Sequence, residues 1–330
     1  MKMQKKALGK STLNVAPLAF GGNVFGWTAD ESRSFELLDA FVGAGFNLID
    51  TANVYSAWVP GHVGGESETL IGKWLKRGHV ARHEIVLATK VGVDLNGSFD
   101  MSKKSLSRAS ILSGVEDSLR RLQTDYIDLY LSHIDDENTP LEETLSAYDE
   151  LIKAGKVRYI GASNIKKDRL EESLLISTKN DLPAYVALQP RYNLYHREDY
   201  EGELQDFCVA HEIGVFTYFS LASGFLTGKY RTEADLEGSS RAGFVGGMLD
   251  ERGHSILHVL DEVAAELYAK PSQVALAWII AQPGVVAPIA SATTLTQLKE
   301  IMACAELVLT ESQQQRLIES GNKVINREAN

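Results

Sequence analysis

Asn47-Leu-Ile-Asp-Thr-Ala-Asn-Val-Tyr55 is an apolar run that meets an acid at Asp50 and is followed five residues later by a tyrosine. Leu48 and Ile49 read as the end of a buried strand, and Asp50 as the point where that strand emerges into a loop. Two more runs share the design. Glu84-Ile-Val-Leu-Ala-Thr-Lys90 closes on a lysine, and Tyr126-Ile-Asp-Leu-Tyr-Leu-Ser-His133 closes on a histidine. An unperturbed phenol, with a pKa of about 10, is a poor proton donor at neutral pH. A neighbouring cation favours phenolate and lowers that value, which is the expected relation of Lys90 to Tyr55.

On both sides of these runs, strands alternate with helices. Residues 4–15 read as a hairpin turning at Gly9-Lys10-Ser11, and Ala16–Phe20 as a strand halted by Gly21-Gly22-Asn23. Asp30 or Ser32 can cap the next helix, whose apolar residues recur at helical spacing until Gly43 and Gly45. Helices are expected over 66–76, 107–122, 140–154, 166–177 and 202–211, with Pro140 opening the one at 140. Strands are expected to end near Phe20, Asp50, Lys90, Ser132, Ile160, Gln189, Tyr218 and Ile289. Eight near-continuous apolar strands separated by helices predict a (β/α)8 TIM barrel occupying 1–330 as one domain. Active sites of that fold lie at the C-terminal ends of the strands, so Asp50, Lys90 and His133 should converge at one mouth. A doubly wound sheet is disfavoured, because Gly21-Gly22-Asn-Val-Phe-Gly26 lacks dinucleotide-fingerprint spacing.

The bulk numbers are ordinary for a soluble globular chain. Hydrophobic residues are 44% and charged residues 23%, and the net charge of −11 argues against a nucleic-acid groove. Cys208 and Cys304 have no metal-type spacing, which points to a reducing compartment without disulfides. The basic start, Met1-Lys-Met-Gln-Lys-Lys6, leads into no apolar core of a signal peptide, and no membrane-spanning run is visible. A cytoplasmic location is expected.

With Asp50, Tyr55, Lys90 and His133 in hand, the chain resembles the aldo-keto reductases, and does so from Leu8-Gly9-Lys10-Ser11 to the Leu307–Leu309 segment. Gly161-Ala-Ser-Asn164 is similar to the family's amide-binding pair, and Gln189-Pro-Arg-Tyr-Asn193 to its sixth-strand segment. Tyr218-Phe-Ser-Leu-Ala-Ser-Gly-Phe-Leu-Thr-Gly-Lys-Tyr230 resembles the long seventh loop of the branch containing aryl-alcohol dehydrogenases and potassium-channel β-subunits. The resemblance implies hydride exchange between a nicotinamide dinucleotide and a carbonyl or carbinol carbon. Tyr55 is then the general acid/base, Lys90 its activator, Asp50 the partner of Lys90, and His133 a hydrogen-bond donor to the substrate oxygen. It further implies that Ser163, Asn164 and Gln189 hold the carboxamide and that Tyr218 stacks on the ring. Leu221, Ser223, Gly224, Lys229 and Arg241 are placed around the pyrophosphate, and Thr293, Gln297 and Glu300 at the adenosine end.

The sequence departs from the family at two places. The positions that often carry a cation for a 2′-phosphate are Ser291, Thr293, Thr294 and Gln297, so NADP(H) is the expected cofactor with NAD(H) as the alternative. Phe219-Ser220 stands where Ser-Pro is common. The glycine-rich residues 222–250 are expected to form a lid over the pyrophosphate. Phe25, Trp27, Trp58, Tyr192 and Tyr195 suggest a pocket for an aromatic or bulky substrate. No metal site is expected: His254 and His258 read as a solvated helix face, and Asp135-Asp136-Glu137 as an acidic loop entering a helix. The alternative to an enzyme is a cofactor-binding regulatory or redox-sensing partner protein with slow turnover.

Overall fold

After the third barrel strand the sequence reads as a polar loop over 94–104; the computed structural model describes residues 3–93 and 100–322, so 94–99 of that loop lie outside the described residues. A short antiparallel hairpin, β1 (Lys6–Ala7) and β2 (Asn14–Val15), opens the chain. The barrel strands are β3 (Ala19–Gly21), β4 (Leu48–Asp50), β5 (Val86–Val91), β6 (Ile127–Ser132), β7 (Val157–Ser163), β8 (Ala187–Gln189), β9 (Gly214–Thr217) and β10 (Val285–Ala290). They pair in parallel in chain order and close through β10 against β3, making the expected TIM barrel.

Helices α1 (Glu31–Gly43), α2 (Glu66–Lys76), α3 (Arg108–Leu122), α4 (Leu141–Lys153), α5 (Lys167–Asn180) and α6 (Glu203–Ala210) follow successive strands. After β9 come α7 (Ala242–Val245), α8 (Glu251–Glu266) and α9 (Pro271–Ile280), and after β10 come α10 (Leu295–Met302) and α11 (Glu311–Asn322). Local chemistry sets the helix starts. Asp30 and Ser107 accept from the backbone N–H groups of Arg33 and Ser110, each satisfying a donor with no helical partner. Pro140 sits one residue outside α4, and α5 runs to Asn180, three residues beyond its expected end, before Asp181 turns left-handed.

The pleat decides what faces the barrel axis. Leu48, Ala88, Leu129, Leu131, Ala187 and Phe216 fill the interior, with Leu8, Leu13 and Val15 of the hairpin plugging the end where the strands begin. Their neighbours Ile49, Leu87, Tyr130, Leu188 and Val215 face the helices. Since side chains alternate along a strand, Asp50, Lys90, Gln189 and Tyr218 share the inward parity of Leu48, Ala88, Ala187 and Phe216, and Ser163 that of Gly161, whose missing Cβ would point at interior Leu131. Ser132 faces outward and bonds Tyr148 and Tyr185 at 2.8 and 2.9 Å, so His133 turns in. The polar ends of the strands therefore meet at one mouth.

Candidate active site

Lys90, fully buried on β5, is at the centre of the mouth. Its ammonium donates at 2.8 Å to both carboxylate oxygens of Asp50 and to the Thr51 carbonyl, and at 2.9 Å to the Tyr55 hydroxyl. The Tyr55 hydroxyl in turn donates to Asp50 Oδ2 at 3.1 Å. The His133 ring stands edge-on to Tyr55, 6.2 Å between centroids. The backbone of His133 is pinned on both sides: its N–H donates to Val91 and its carbonyl accepts from Asn164 Nδ2 at 2.9 Å. The four residues singled out in the sequence are thus brought together.

The electrostatics correct one expectation. The Tyr55 phenol lies well above its ordinary value, not below it, because burial, then the Asp50 charge and the hydrogen bond to Asp50, all disfavour phenolate. Lys90 cannot reverse this, since its charge is balanced by Asp50 and burial lowers its own pKa. Burial and then the Lys90 charge hold His133 well below the usual histidine range, so its imidazole is neutral at physiological pH.

The expected carboxamide residues form a second connected group. Ser163 Oγ donates to the Gln189 carbonyl at 2.8 Å and accepts from Asn164 Nδ2 at 3.1 Å. The Tyr218 hydroxyl donates to Asn164 Oδ1 at 2.8 Å. Gln189 Nε2 donates to Asp50 Oδ1 at 2.7 Å, a contact 139 residues apart in sequence that no motif announces.

Residues 222–250 are laid down as short helical turns, with Phe225, Leu226, Val245 and Met248 buried in the core, so much of the segment is anchored. Phe219 takes φ +61°, a conformation costly for a bulky side chain, and Asn193 Nδ2 holds its carbonyl at 2.9 Å. Ala222, Ser223 and Gly224 are successively left-handed, directly after Leu221. The Lys229 side chain lies across Gly224, where a Cβ would meet its Cε at 3.0 Å and Nζ at 3.2 Å. Lys229 and Arg241 both lack a carboxylate partner among the described residues. The Lys229 ammonium rests on the Tyr230 ring, and the Arg241 guanidinium lies 4.3 Å from the centre of the Trp27 ring.

At the end of β10, Gln297 Oε1 accepts from the Thr293 N–H and hydroxyl at 2.9 and 3.0 Å. The Glu300 carboxylate instead accepts from the buried Ser272 hydroxyl of α9. Of the five aromatic residues expected at the mouth, Trp27 and Trp58 do line up with Tyr55, at centroid distances of 5.5 Å between the two indoles and 6.1 Å from Trp58 to Tyr55. Phe25 stacks on Phe20 and Tyr192 packs on Trp278 and Tyr200, all in the core, while the Tyr195 hydroxyl donates to Asp250 at 2.8 Å.

The metal-like clusters have structural partners. Asp135 is held by Arg169, and Asp136 accepts from the Leu106 N–H and the Thr139 hydroxyl. His254 contacts the Arg231 carbonyl and His258 pairs with Glu262. No helix among the described residues is long and apolar enough to cross a membrane.

A barrel mouth with a buried lysine–carboxylate pair against a tyrosine is a site for moving protons and charge. The chain belongs to the aldo/keto reductase family, matched over residues 17–321, and is an oxidoreductase. It is 34% identical over 314 residues to the uncharacterized oxidoreductase YrpG of Bacillus subtilis (strain 168), covering 93% of this chain and 92% of that one. It is 32% identical over 314 residues to a probable voltage-gated potassium channel subunit beta of Oryza sativa subsp. japonica, with the same coverage. It is also 32% identical over 330 residues to protein tas of Escherichia coli (strain K12), covering 94% and 95% of the two chains.

Proposed function

We propose that this protein reduces aldehydes or ketones to alcohols, and runs the reverse reaction, with NADP(H) as the preferred cofactor and Tyr55 as the general acid/base. The observation that carries this reading is the Tyr55 hydroxyl at 2.9 Å from the Lys90 ammonium, itself held by Asp50, beside a neutral His133. The bound dinucleotide supplies or accepts the hydride. Ser163, Asn164, Gln189 and Tyr218 would hold its carboxamide end. Leu221, Ser223, Gly224, Lys229 and Arg241 would hold its pyrophosphate, and Thr293, Gln297 and Glu300 its adenosine end. Lys229 beside the left-handed turn at 222–224 and Arg241 over Trp27, both without carboxylate partners among the described residues, suit the pyrophosphate that NADP(H) and NAD(H) share; the hydroxyls of Ser291, Thr293 and Thr294 are what could receive the 2′-phosphate of NADP(H).

Tyr55 donates its proton to the carbonyl oxygen as charge develops there. Its raised pKa keeps the phenol protonated at neutral pH, a resting state set for reduction. Lys90 stabilises the phenolate that forms, and Asp50 keeps the Lys90 ammonium in place. Neutral His133 donates through Nε2–H to the same substrate oxygen. In oxidation Tyr55 takes the proton back. The Trp27–Trp58–Tyr55 line supports an aromatic or bulky substrate.

The test is a titration with NADPH and NADH, followed by turnover across a panel of aryl and alkyl carbonyls. Tyr55→Phe should lose turnover by at least about 100-fold while keeping cofactor affinity. Full turnover in that variant would defeat the mechanism. Tight NADPH binding with negligible turnover on every carbonyl would instead favour a regulatory or redox-sensing role, a reading motivated by the 32% identity to the rice channel subunit.

A further inference from the structure

We propose that Gln189 is a positioning residue of the acid/base group, its amide joining the Asp50–Lys90–Tyr55 cluster to the place that receives the cofactor's carboxamide. The inference rests on the reading of the site given above. Gln189 ends β8 and is 1% exposed, so its amide is largely withdrawn from solvent. A carboxylate only accepts, so the amide must present its NH2 end to Asp50, and the 2.7 Å contact is a charge-assisted hydrogen bond. That leaves Oε1, which has no protein donor among the described residues and is not sealed off, as an acceptor for a ligand N–H. The Gln189 backbone carbonyl is held by Ser163 Oγ, itself bonded to Asn164, so the residue is gripped by the pair expected to hold the carboxamide. One amide can thus face the cofactor with its oxygen and Asp50 with its nitrogen.

The contact matters because of how Asp50 is satisfied. Oδ1 accepts from Lys90 and Gln189; Oδ2 accepts from Lys90 and Tyr55. When Tyr55 turns its proton toward a substrate oxygen, Asp50 gives up one donor and the Gln189 N–H remains. Without that N–H the carboxylate is less satisfied, competes harder for the Tyr55 proton and makes the phenol harder to ionise. The other titratable groups facing the cluster are His133 after β6 and Tyr218 after β9, with Glu68 of α2 behind Lys90.

The experiment compares the wild type, Gln189→Met and Gln189→Glu. Methionine keeps the length and removes the donor. Cofactor dissociation constants come from fluorescence titration, and kcat is followed against pH in single turnovers. The expected result for Gln189→Met is a basic limb displaced to higher pH by about one unit and a kcat lowered roughly tenfold, besides weaker cofactor binding. Gln189→Glu can donate to Asp50 only while protonated, so its kcat should fall through an additional ionisation absent from the wild type. A weakened cofactor with an unmoved pH limb in Gln189→Met overturns the proposal and leaves the oxidoreductase reading intact. Should Gln189→Met fail to fold, Gln189→Glu decides: no added ionisation overturns the link to Asp50. A wild type that binds neither NADPH nor NADH would overturn the functional reading, and this proposal with it.

Discussion

Replacing Lys90 by methionine tests the central feature of the mouth through stability as well as rate. The amine makes four hydrogen-bond contacts, and it and Asp50 are 0% and 1% exposed. Lys90→Met keeps the side-chain volume close but leaves Asp50 as a buried carboxylate with only Tyr55 and Gln189 as donors. Breaking a buried pair from one side costs about 3–5 kcal/mol, since the remaining charge is neither hydrated nor paired. Lys90→Met/Asp50→Asn removes both charges and should recover most of that loss, to within about 1–2 kcal/mol of wild type. Taking up a proton relieves the stranded carboxylate, so the single variant should be penalised less at about pH 4 than at about pH 8. Urea unfolding followed by circular dichroism measures all three proteins. Turnover should fall in both variants by about 100-fold or more, because neither offers phenolate a cation. A single variant that loses under about 1 kcal/mol, or no more than the double variant, would show that the buried pair is not organised as described.

Three other outcomes are expected. His133 has a folded pKa well below 6.5, so its contribution to stability is present above 6.5 and lost as pH falls through the folded value. His133→Asn should therefore show a shallower loss of stability on acidification below that pH, and an unchanged slope in acid unfolding would contradict burial of a neutral imidazole. Arg241→Leu should weaken NADPH binding by roughly tenfold or more and alter tryptophan fluorescence through Trp27; an unaltered dissociation constant would remove Arg241 from the anion site. Gly72 of α2 has no room for a methyl group, its Cβ falling 2.1 Å from the Arg121 carbonyl of α3. Gly72→Ala should destabilise by about 1–3 kcal/mol in urea titration, and a neutral result would show that α2 and α3 pack less closely than described.

Much of the site was legible because barrel strands carry their functional residues at predictable ends. Asp50, Lys90 and His133 each close an apolar run, and a period of two turns their side chains to the mouth. The sign of the Tyr55 shift was not legible. It depends on how completely the phenol is desolvated and on the second oxygen of Asp50, neither of which adjacent residues encode. The aromatic set was over-read for a similar reason: Phe25 and Tyr192 have the same chemistry as Trp27 and Trp58, but packing sends them into the core. The contact that orients Glu300, between its Oε1 and the Ser272 hydroxyl on the preceding helix, was not legible either, since it joins two separate helices.

By itself the chain's order of residues determined eight buried strands, the helices that follow the first six of them and the titratable groups at their ends, since periodicity, caps and turns act over a few neighbours; the bounds of Glu251–Glu266 and Pro271–Ile280, between the last two strands, came from the structure. Only the closed barrel decided which of those groups touch. The Gln189–Asp50 and Glu68–Thr89 hydrogen bonds span 139 and 21 residues. Their existence depends on strand stagger and side-chain packing around the ring, and these are properties of the assembled sheet rather than of any segment.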